Sequence, residues 1–319
     1  MNTQKTFSNP LSSILFALLT CALWGSLFPF IKLAYSAFHI DSGDVPSILL
    51  FAGLRFTVSG IIMIALFSAM KKKALIPQKK DILPILVVSL FTIILHYFFT
   101  YMALSVGEGS KSAIIKQVGF LFLSCLSFLF IKSEHFSWKK LLCGLLGFFG
   151  IIVTNMDGGA FSFALGDALL IAASVCSVVG AVITKKTVQR TDPLILVAYS
   201  QLIGGALLCT LGLPLGGRIT HVDLRATATF VYICAASIGA YAIWNVLVKY
   251  NALSKLSVIK FTEPLFAVIF SGLFLHENIM KWNYLIALVF MLTAILLDNG
   301  FVGKHKTNEK VIRNESNNF

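Results

Sequence analysis

The stretch Tyr97–Trp138 occurs twice in this chain: moved 144 positions along, it falls on Tyr241–Trp282 without a gap. Tyr97 lands on Tyr241, Ser110 on Ser254, Lys111 on Lys255, Ile115 on Ile259, Lys116 on Lys260 and Trp138 on Trp282. Shared leucines and phenylalanines carry little weight in so apolar a chain. Shared tyrosine, Lys-x4-Lys and tryptophan in one register are hard to obtain by chance, and they mark two copies of one module.

The module lies in membrane-grade sequence. Only 13% of the 319 residues are charged, against about 25% in a soluble domain. A span needs about 20 mostly apolar residues to cross about 30 Å of hydrocarbon. Ten candidates follow one another near 11–34, 46–69, 82–104, 112–131, 141–156, 165–184, 194–214, 226–248, 256–276 and 282–298. The fifth and tenth are short and rest partly on the repeat. Residues 1–10 read as a polar tail with no cleavable targeting peptide, 157–164 as a linker, and 299–319 as a charged, disordered tail. The connections leave no room for a soluble domain.

The net charge of +12 would suit nucleic acid if it were gathered, but the lysines sit in short runs between apolar segments. A nucleic-acid partner is not expected. The six cysteines (Cys21, Cys125, Cys143, Cys176, Cys209 and Cys234) all fall inside apolar segments without a CxxC pair. They read as small buried hydrophobes, so no metal site, disulfide framework or cofactor is expected.

Lysine and arginine placement orients the chain. With the N-terminus cytoplasmic, eighteen of these residues fall inside, among them Lys71–Lys73, Lys79, Lys80, Lys185, Lys186 and Arg190. Four fall outside: Lys111, Arg218, Arg225 and Lys281. Both termini are then cytoplasmic. Each half has five spans, an odd number, so the second half enters the membrane from the opposite side. Inverted repeats are a hallmark of secondary transporters, with substrate bound near the midplane between the halves. The expected fold is an all-α membrane protein of ten transmembrane helices, in two inverted five-helix repeats (11–156 and 165–298) around a central cavity.

Three motifs add a resemblance. Ala22-Leu-Trp-Gly-Ser-Leu-Phe-Pro-Phe-Ile-Lys32, Leu54-Arg55-Phe56 and Glu263-Pro264-Leu-Phe-Ala267 followed by Leu275-His-Glu277 resemble signatures of the drug/metabolite transporter superfamily, EamA type. The resemblance implies ten helices in two inverted halves, with helices 1–4 and 6–9 lining the cavity and 5 and 10 peripheral. It identifies the superfamily well and the substrate poorly. Phe120 stands where the first half usually carries a proline, which makes the fourth helix straighter than the ninth.

Polar residues inside spans are expensive, so each needs a partner, a route to water or a purpose. His96, Tyr97, Thr100 and Tyr101 share one face of the third span, and Tyr241, Trp244 and Asn245 form the matching stripe in the eighth. With Trp24 they are read as cavity lining, against the alternative of an interfacial aromatic belt. Lys116 and Lys260 lie about four residues, or roughly 6 Å, into their helices. They either snorkel to the interface or meet a substrate anion, one near each entrance. Glu263, at i+3 from Lys260, is the expected ion-pair partner. Glu263 or His96 supplies a titratable group for proton coupling. Arg55, which aligns near Gln201 across the repeat, is read as structurally paired or as a substrate contact. Gly144, Gly147 and Gly150 suggest a close-packing face, and Pro29 and Pro264 mark expected bends.

No GxSxG or HExxH motif appears, and no span carries polar residues along its whole length as a pore helix would. The reading is a secondary transporter in the cell membrane, taken as an exporter, for a small organic metabolite such as an amino acid or another solute with an anionic group. It works by alternating access. The alternatives are a channel-like pore or a membrane-embedded enzyme. Partners are the small-molecule substrate and membrane lipids, with a homodimer left open.

Overall fold

The computed structural model describes residues 3–116, 163–251, 262–279 and 281–299, with positions 119, 138, 142, 145, 146, 149, 150, 152, 153, 156, 157, 160, 161, 256, 259 and 260. The fourth span beyond Lys116, Phe120, most of the fifth span with Gly144 and Gly147, and the tail from residue 300 lie outside the described residues.

The long helices are α1 (Pro10–Ala37), α2 (Val45–Lys71), α3 (Lys79–Val106), α4 (Gly109–Lys116), α5 (Leu165–Thr187), α6 (Pro193–Gly212), α7 (Leu224–Tyr250), α8 (Glu263–Leu275) and α9 (Trp282–Asn299). Six of them (α1, α2, α3, α5, α6 and α7) are long and apolar enough to cross a membrane. A small hairpin, β1 (Met156–Asp157) with β2 (Ala160–Phe161), stands at the expected linker.

Local chemistry sets the starts. Asn9, Asp44, Asp192 and Asp223 each cap a helix by accepting from backbone N–H groups of its first turn, satisfying donors that have no intrahelical partner. Proline follows in the first turn of α1, α2, α6 and α8, where its missing N–H costs nothing. Pro264 stands in the first turn of α8, just after a turn at Thr262 that follows helical Ile259 and Lys260, and Pro29 sits within an unbroken α1. The interior of α3 is less regular: a π-helical segment, Leu90–Leu95, ends at His96.

Exposed side chains follow the bilayer. Leu11, Leu15 and Leu19 form one outward row on α1, and Ile62, Leu66 and Met70 another on α2. Polar and small residues such as Ser13, Thr20, Ser26 and Ser59 turn inward. Lipid is as apolar as leucine, so helix association rests on close packing. The tightest example is α2 against α6. A Cβ added to Gly53 would lie 2.5 Å from Cys209 N, and one on Gly205 would lie 2.3 Å from Thr57 N. Gly60 and Gly212 meet partner backbone in the same way.

Contacts fix the directions. Lys32 of α1 reaches Gly107 O at the end of α3, and Asn251 at the end of α7 donates to Phe7 O before α1. So α3 runs with α1 and α7 runs against it. One end of the bundle gathers Lys71, Asp81, Lys185, Thr191, Asp192 and Asn251. The other gathers Lys32, Gly107, Glu108, Lys111, Asp167, Glu277 and Lys281. The described loops thus sort onto two faces in the alternation expected of successive spans.

Candidate functional site

A cavity of about 80 Å³ lies between α1, α3, α5, α6, α7 and the start of α8. That is room for a few waters or a small polar group. Ten of the residues expected at the site line it: Trp24, His96, Tyr97, Thr100, Lys116, Tyr241, Trp244, Asn245, Lys260 and Glu263. They come from opposite ends of the sequence because α1 packs on both α7 and α8. Gly25 permits the second contact. A Cβ there would lie 2.7 Å from Phe266 Cβ and 2.9 Å from Glu263 O, so the Trp-Gly pair brings an indole and the α8 backbone into one layer.

The aromatic wall is continuous. Trp24 meets Tyr241 and Trp244 edge to face, with ring centroids 5.5 and 5.2 Å apart. Tyr241 OH donates to Tyr97 OH at 2.7 Å, so the two tyrosines related by the sequence repeat touch each other. Both lysines point at this wall. Lys260 Nζ lies 4.2 Å from the Trp24 ring and 5.1 Å from Trp244. Lys116 Nζ lies 5.1 Å from Phe28 and 5.7 Å from Tyr97. These are cation–π distances, and they favour the cavity over the interface. Trp24 and Phe28 are one turn, about 6 Å, apart along α1, so Lys260 and Lys116 meet the wall at successive turns.

Some polar groups satisfy one another inside the site. Thr100 Oγ1 donates to His96 O at 2.8 Å, and Asn245 Nδ2 donates to Tyr241 O at 2.9 Å, the i−4 pattern of short polar side chains in helices. His96 Nδ1 lies 2.8 Å from Ala173 O. A carbonyl only accepts, so Nδ1 carries the hydrogen and Nε2 of the neutral ring is left as an acceptor. Glu263 stands in the first turn of α8, where the helix dipole favours its charge. Its Oε2 is buried without a hydrogen-bond partner.

Two expected site residues lie elsewhere. Arg55 and Tyr101 are both 0% exposed and absent from the cavity wall. Arg55 Nη1 donates to Tyr101 OH at 2.5 Å, while its Nε and Nη2 donate to Ser237 Oγ at 3.0 and 2.7 Å. Ser237 spends its own hydrogen on Ile233 O, which leaves its lone pairs for the guanidinium. Rings of Phe56, Tyr97 and Tyr101 surround the charge at 4.7, 5.4 and 5.9 Å. Arg55 is thus paired structurally, with Ser237 and Tyr101.

Gln201 enters the sequence reading only as the residue near which Arg55 aligns across the repeat. It lines the cavity, is 0% exposed, and has neither Nε2 nor Oε1 hydrogen-bonded. Trp24 Nε1 is also without a partner. Being the glutamine of an apolar span was the signal available in sequence; its vacant donor and acceptor are visible only in three dimensions. Among the described residues no three His, Cys, Asp or Glu side chains gather as a metal site.

Above the cavity, at the end bearing Gly107, charged residues join three segments. Lys32 donates to Gly107 O at 2.8 Å and lies 3.7 Å from Glu277. Lys281 meets Glu108 at 3.0 Å, and Tyr284 OH also donates to Glu108. Burial alone would push the Glu108 carboxyl up. The hydrogen bonds from Tyr284 and Lys281, with the charges of Lys281 and Lys32, outweigh it and hold the group below the usual carboxylate range.

Comparison with known proteins agrees with this architecture. The model of the EamA-like transporter family matches residues 11–156 and again 164–298. The uncharacterized transporter YvbV of Bacillus subtilis (strain 168) is 28% identical over 285 residues, covering 87% of this chain and 88% of that protein. The uncharacterized transporter sll0355 of Synechocystis is 29% identical over 147 residues, covering 46% of this chain and 44% of that protein. A solved crystal structure superimposes with a TM-score of 0.66 at 20% identity, covering 90% of this chain and 96% of that one, which shows a shared fold. With one family model matched twice along nearly its whole length, the chain belongs to the EamA-like transporter family and is a multi-pass membrane transporter of small molecules.

Proposed function

We propose that the protein is an exporter of a small organic metabolite with an anionic group, such as an amino acid or a derivative, working by alternating access between two inverted five-helix repeats. The observation that carries this reading is the pairing of Lys116 and Lys260. They occupy equivalent positions of the repeat, come from different halves, and face one cavity walled by aromatic rings. Two cations against one carboxylate leave an excess positive charge for a substrate carboxylate or phosphate. Trp24 and Trp244 accept its apolar body, and Gln201 and Trp24 Nε1 offer further hydrogen bonds.

The inverted repeat draws support from two features. The stripe helices α3 and α7 run in opposite directions, and Tyr97 meets Tyr241, as residues do only near the axis relating two copies. Extended through the fourth and fifth spans, this gives ten helices in halves 11–156 and 165–298. The Lys-rich face, with Lys71, Lys79, Lys80, Lys185 and Arg190, is read as cytoplasmic in the cell membrane, together with both termini. Glu263 is the coupling group on this reading, with His96 second.

The test begins with a thermal-shift screen of the purified protein against amino acids and their derivatives, followed by flux in proteoliposomes with any hit. A carrier saturates and shows counterflow of labelled substrate; current without counterflow would indicate a pore, and chemical change of the compound an enzyme. Lys116→Met, and Lys260→Met combined with Glu263→Gln, should each weaken affinity at least about thirtyfold. Because Lys260 and Lys116 meet successive turns of α1, Lys116→Met should mainly weaken binding from the outer side of the membrane and the Lys260 variant from the inner. Wild-type binding in Lys116→Met at normal expression would return that lysine to a snorkelling role.

A further inference from the structure

The lysine run Lys71–Lys80 orients the chain, but it also lines a second cavity apart from the central one. This cavity measures about 520 Å³ and lies between the α2–α3 connection and the α5–α6 connection. Lys71, Lys73 and Lys80 come from the first, Arg190 and Asp192 from the second.

Cross-links hold the two connections together. Thr191 Oγ1 donates to Asp81 at 2.7 Å, Lys71 pairs with Asp192, and Tyr199 OH donates to Leu75 O at 2.9 Å. These links also consume the negative charge. Asp81 is buried and further accepts from Gln78 N at 3.0 Å. Asp192 caps α6 through Leu194 N at 2.9 Å. Burial would raise the Asp192 carboxyl, but the Lys71 and Leu194 hydrogen bonds outweigh it and hold it low. Among the described residues Lys73, Lys80 and Arg190 have no carboxylate within salt-bridge distance, so the cavity presents three uncommitted cations.

Its surroundings identify the source of the anion. Met70, Ile76 and Leu83, on the segments flanking the lysines, are 71%, 68% and 70% exposed. Charges in a cleft beside bare apolar side chains at the end of membrane helices match an amphiphile with an anionic head. We propose that this cavity binds the phosphate of an anionic phospholipid headgroup, with the acyl chains lying against Met70, Ile76 and Leu83. The site stands apart from the central cavity and does not depend on what is transported.

The experiment uses the full chain in nanodiscs of phosphatidylcholine with rising phosphatidylglycerol. Melting temperature and the lipids retained in native mass spectrometry are the two readouts. Phosphatidylglycerol should raise the melting temperature saturably and remain bound. In Lys73→Gln/Lys80→Gln/Arg190→Gln its apparent affinity should fall on the order of a hundredfold, whereas Lys72→Gln/Lys79→Gln/Lys186→Gln, which removes equal charge from the same face, should change it less than about threefold. Equal losses in both variants would reduce the effect to diffuse surface charge and overturn the site. So would an absence of any response to phosphatidylglycerol. Saturation of the same stabilisation by inorganic phosphate alone would overturn the lipid as occupant. All six exchanged side chains are exposed, so both variants should fold, and retained lipid reports on the site even where melting shifts for other reasons.

Discussion

Gln201 and Arg55 are both wholly buried polar residues in apolar helices, and their surroundings predict opposite behaviour. An amide buried without hydrogen bonds costs about 1–3 kcal/mol. Gln201→Leu removes that cost, so its melting temperature should equal or exceed that of the wild type while substrate affinity falls. Arg55→Met strands Tyr101 OH and Ser237 Oγ and should destabilise by about 2–4 kcal/mol, lowering melting temperature and folded yield together. Parallel melts and binding isotherms separate the two; a destabilised Gln201→Leu with normal affinity would make Gln201 a structural residue. In sequence both residues stand out equally, because a polar residue in an apolar run is conspicuous whatever it does. What separates them is Ser237, 182 positions from Arg55, and nothing in local spacing encodes that approach. Tyr101 was misplaced for the same reason. It shares a helix face with Tyr97, but Arg55 captures its hydroxyl.

Among elements, α2 and α6 show how closely two membrane helices can approach. Gly205→Ala would place Cβ 2.3 Å from the backbone nitrogen of Thr57, where no side-chain rotation gives relief. Overpacking of that kind costs about 1–3 kcal/mol, and a clear fall in melting temperature is expected. Gly239→Ala is the matched control, since its Cβ would meet only Leu23 Cδ1 at 3.3 Å, the far end of a flexible side chain. Equal melting of the two variants would remove backbone contact as the reason for glycine in α6. Sequence reading fixed on the triplet Gly144, Gly147 and Gly150 because its spacing is regular. The contacts seen here use Gly53 with Gly60 and Gly205 with Gly212, each pair seven residues apart on facing helices. Periodicity marks a face, but it does not name the partner. The six helices long enough to cross a membrane were legible to within a few residues, since lipid exposure writes them in composition. The π segment Leu90–Leu95 was not, because its extra residue per turn leaves apolar content unchanged.

At the scale of the whole molecule, the proposed alternating access would require one end of the bundle to part while the other holds. The end bearing Gly107 is joined by Lys32 to Gly107 and Glu277, and by Lys281 and Tyr284 to Glu108. These contacts link α1, the α3–α4 connection and the α8–α9 segment, so breaking them should favour opening there. Glu108 gives a handle on this equilibrium. Its folded carboxyl titrates below the ordinary value, so its contribution is present above that value, about 4.3, and is lost as pH falls through the lower folded one. Labelling of Leu104→Cys from this end, in a background with the native cysteines replaced, should therefore be low and flat between about pH 7 and pH 5, then rise below about pH 4. Glu108→Gln keeps a hydrogen-bond acceptor for Tyr284 but loses the charge that meets Lys281. Labelling in that variant should already be raised at neutral pH, and its acid step should shrink. Other carboxylates stand at this end, Asp167 and Glu277 among them, so the difference between the two proteins carries the inference rather than either curve alone. An identical acid step in wild type and Glu108→Gln would assign the opening to those other groups and release Glu108 from the latch.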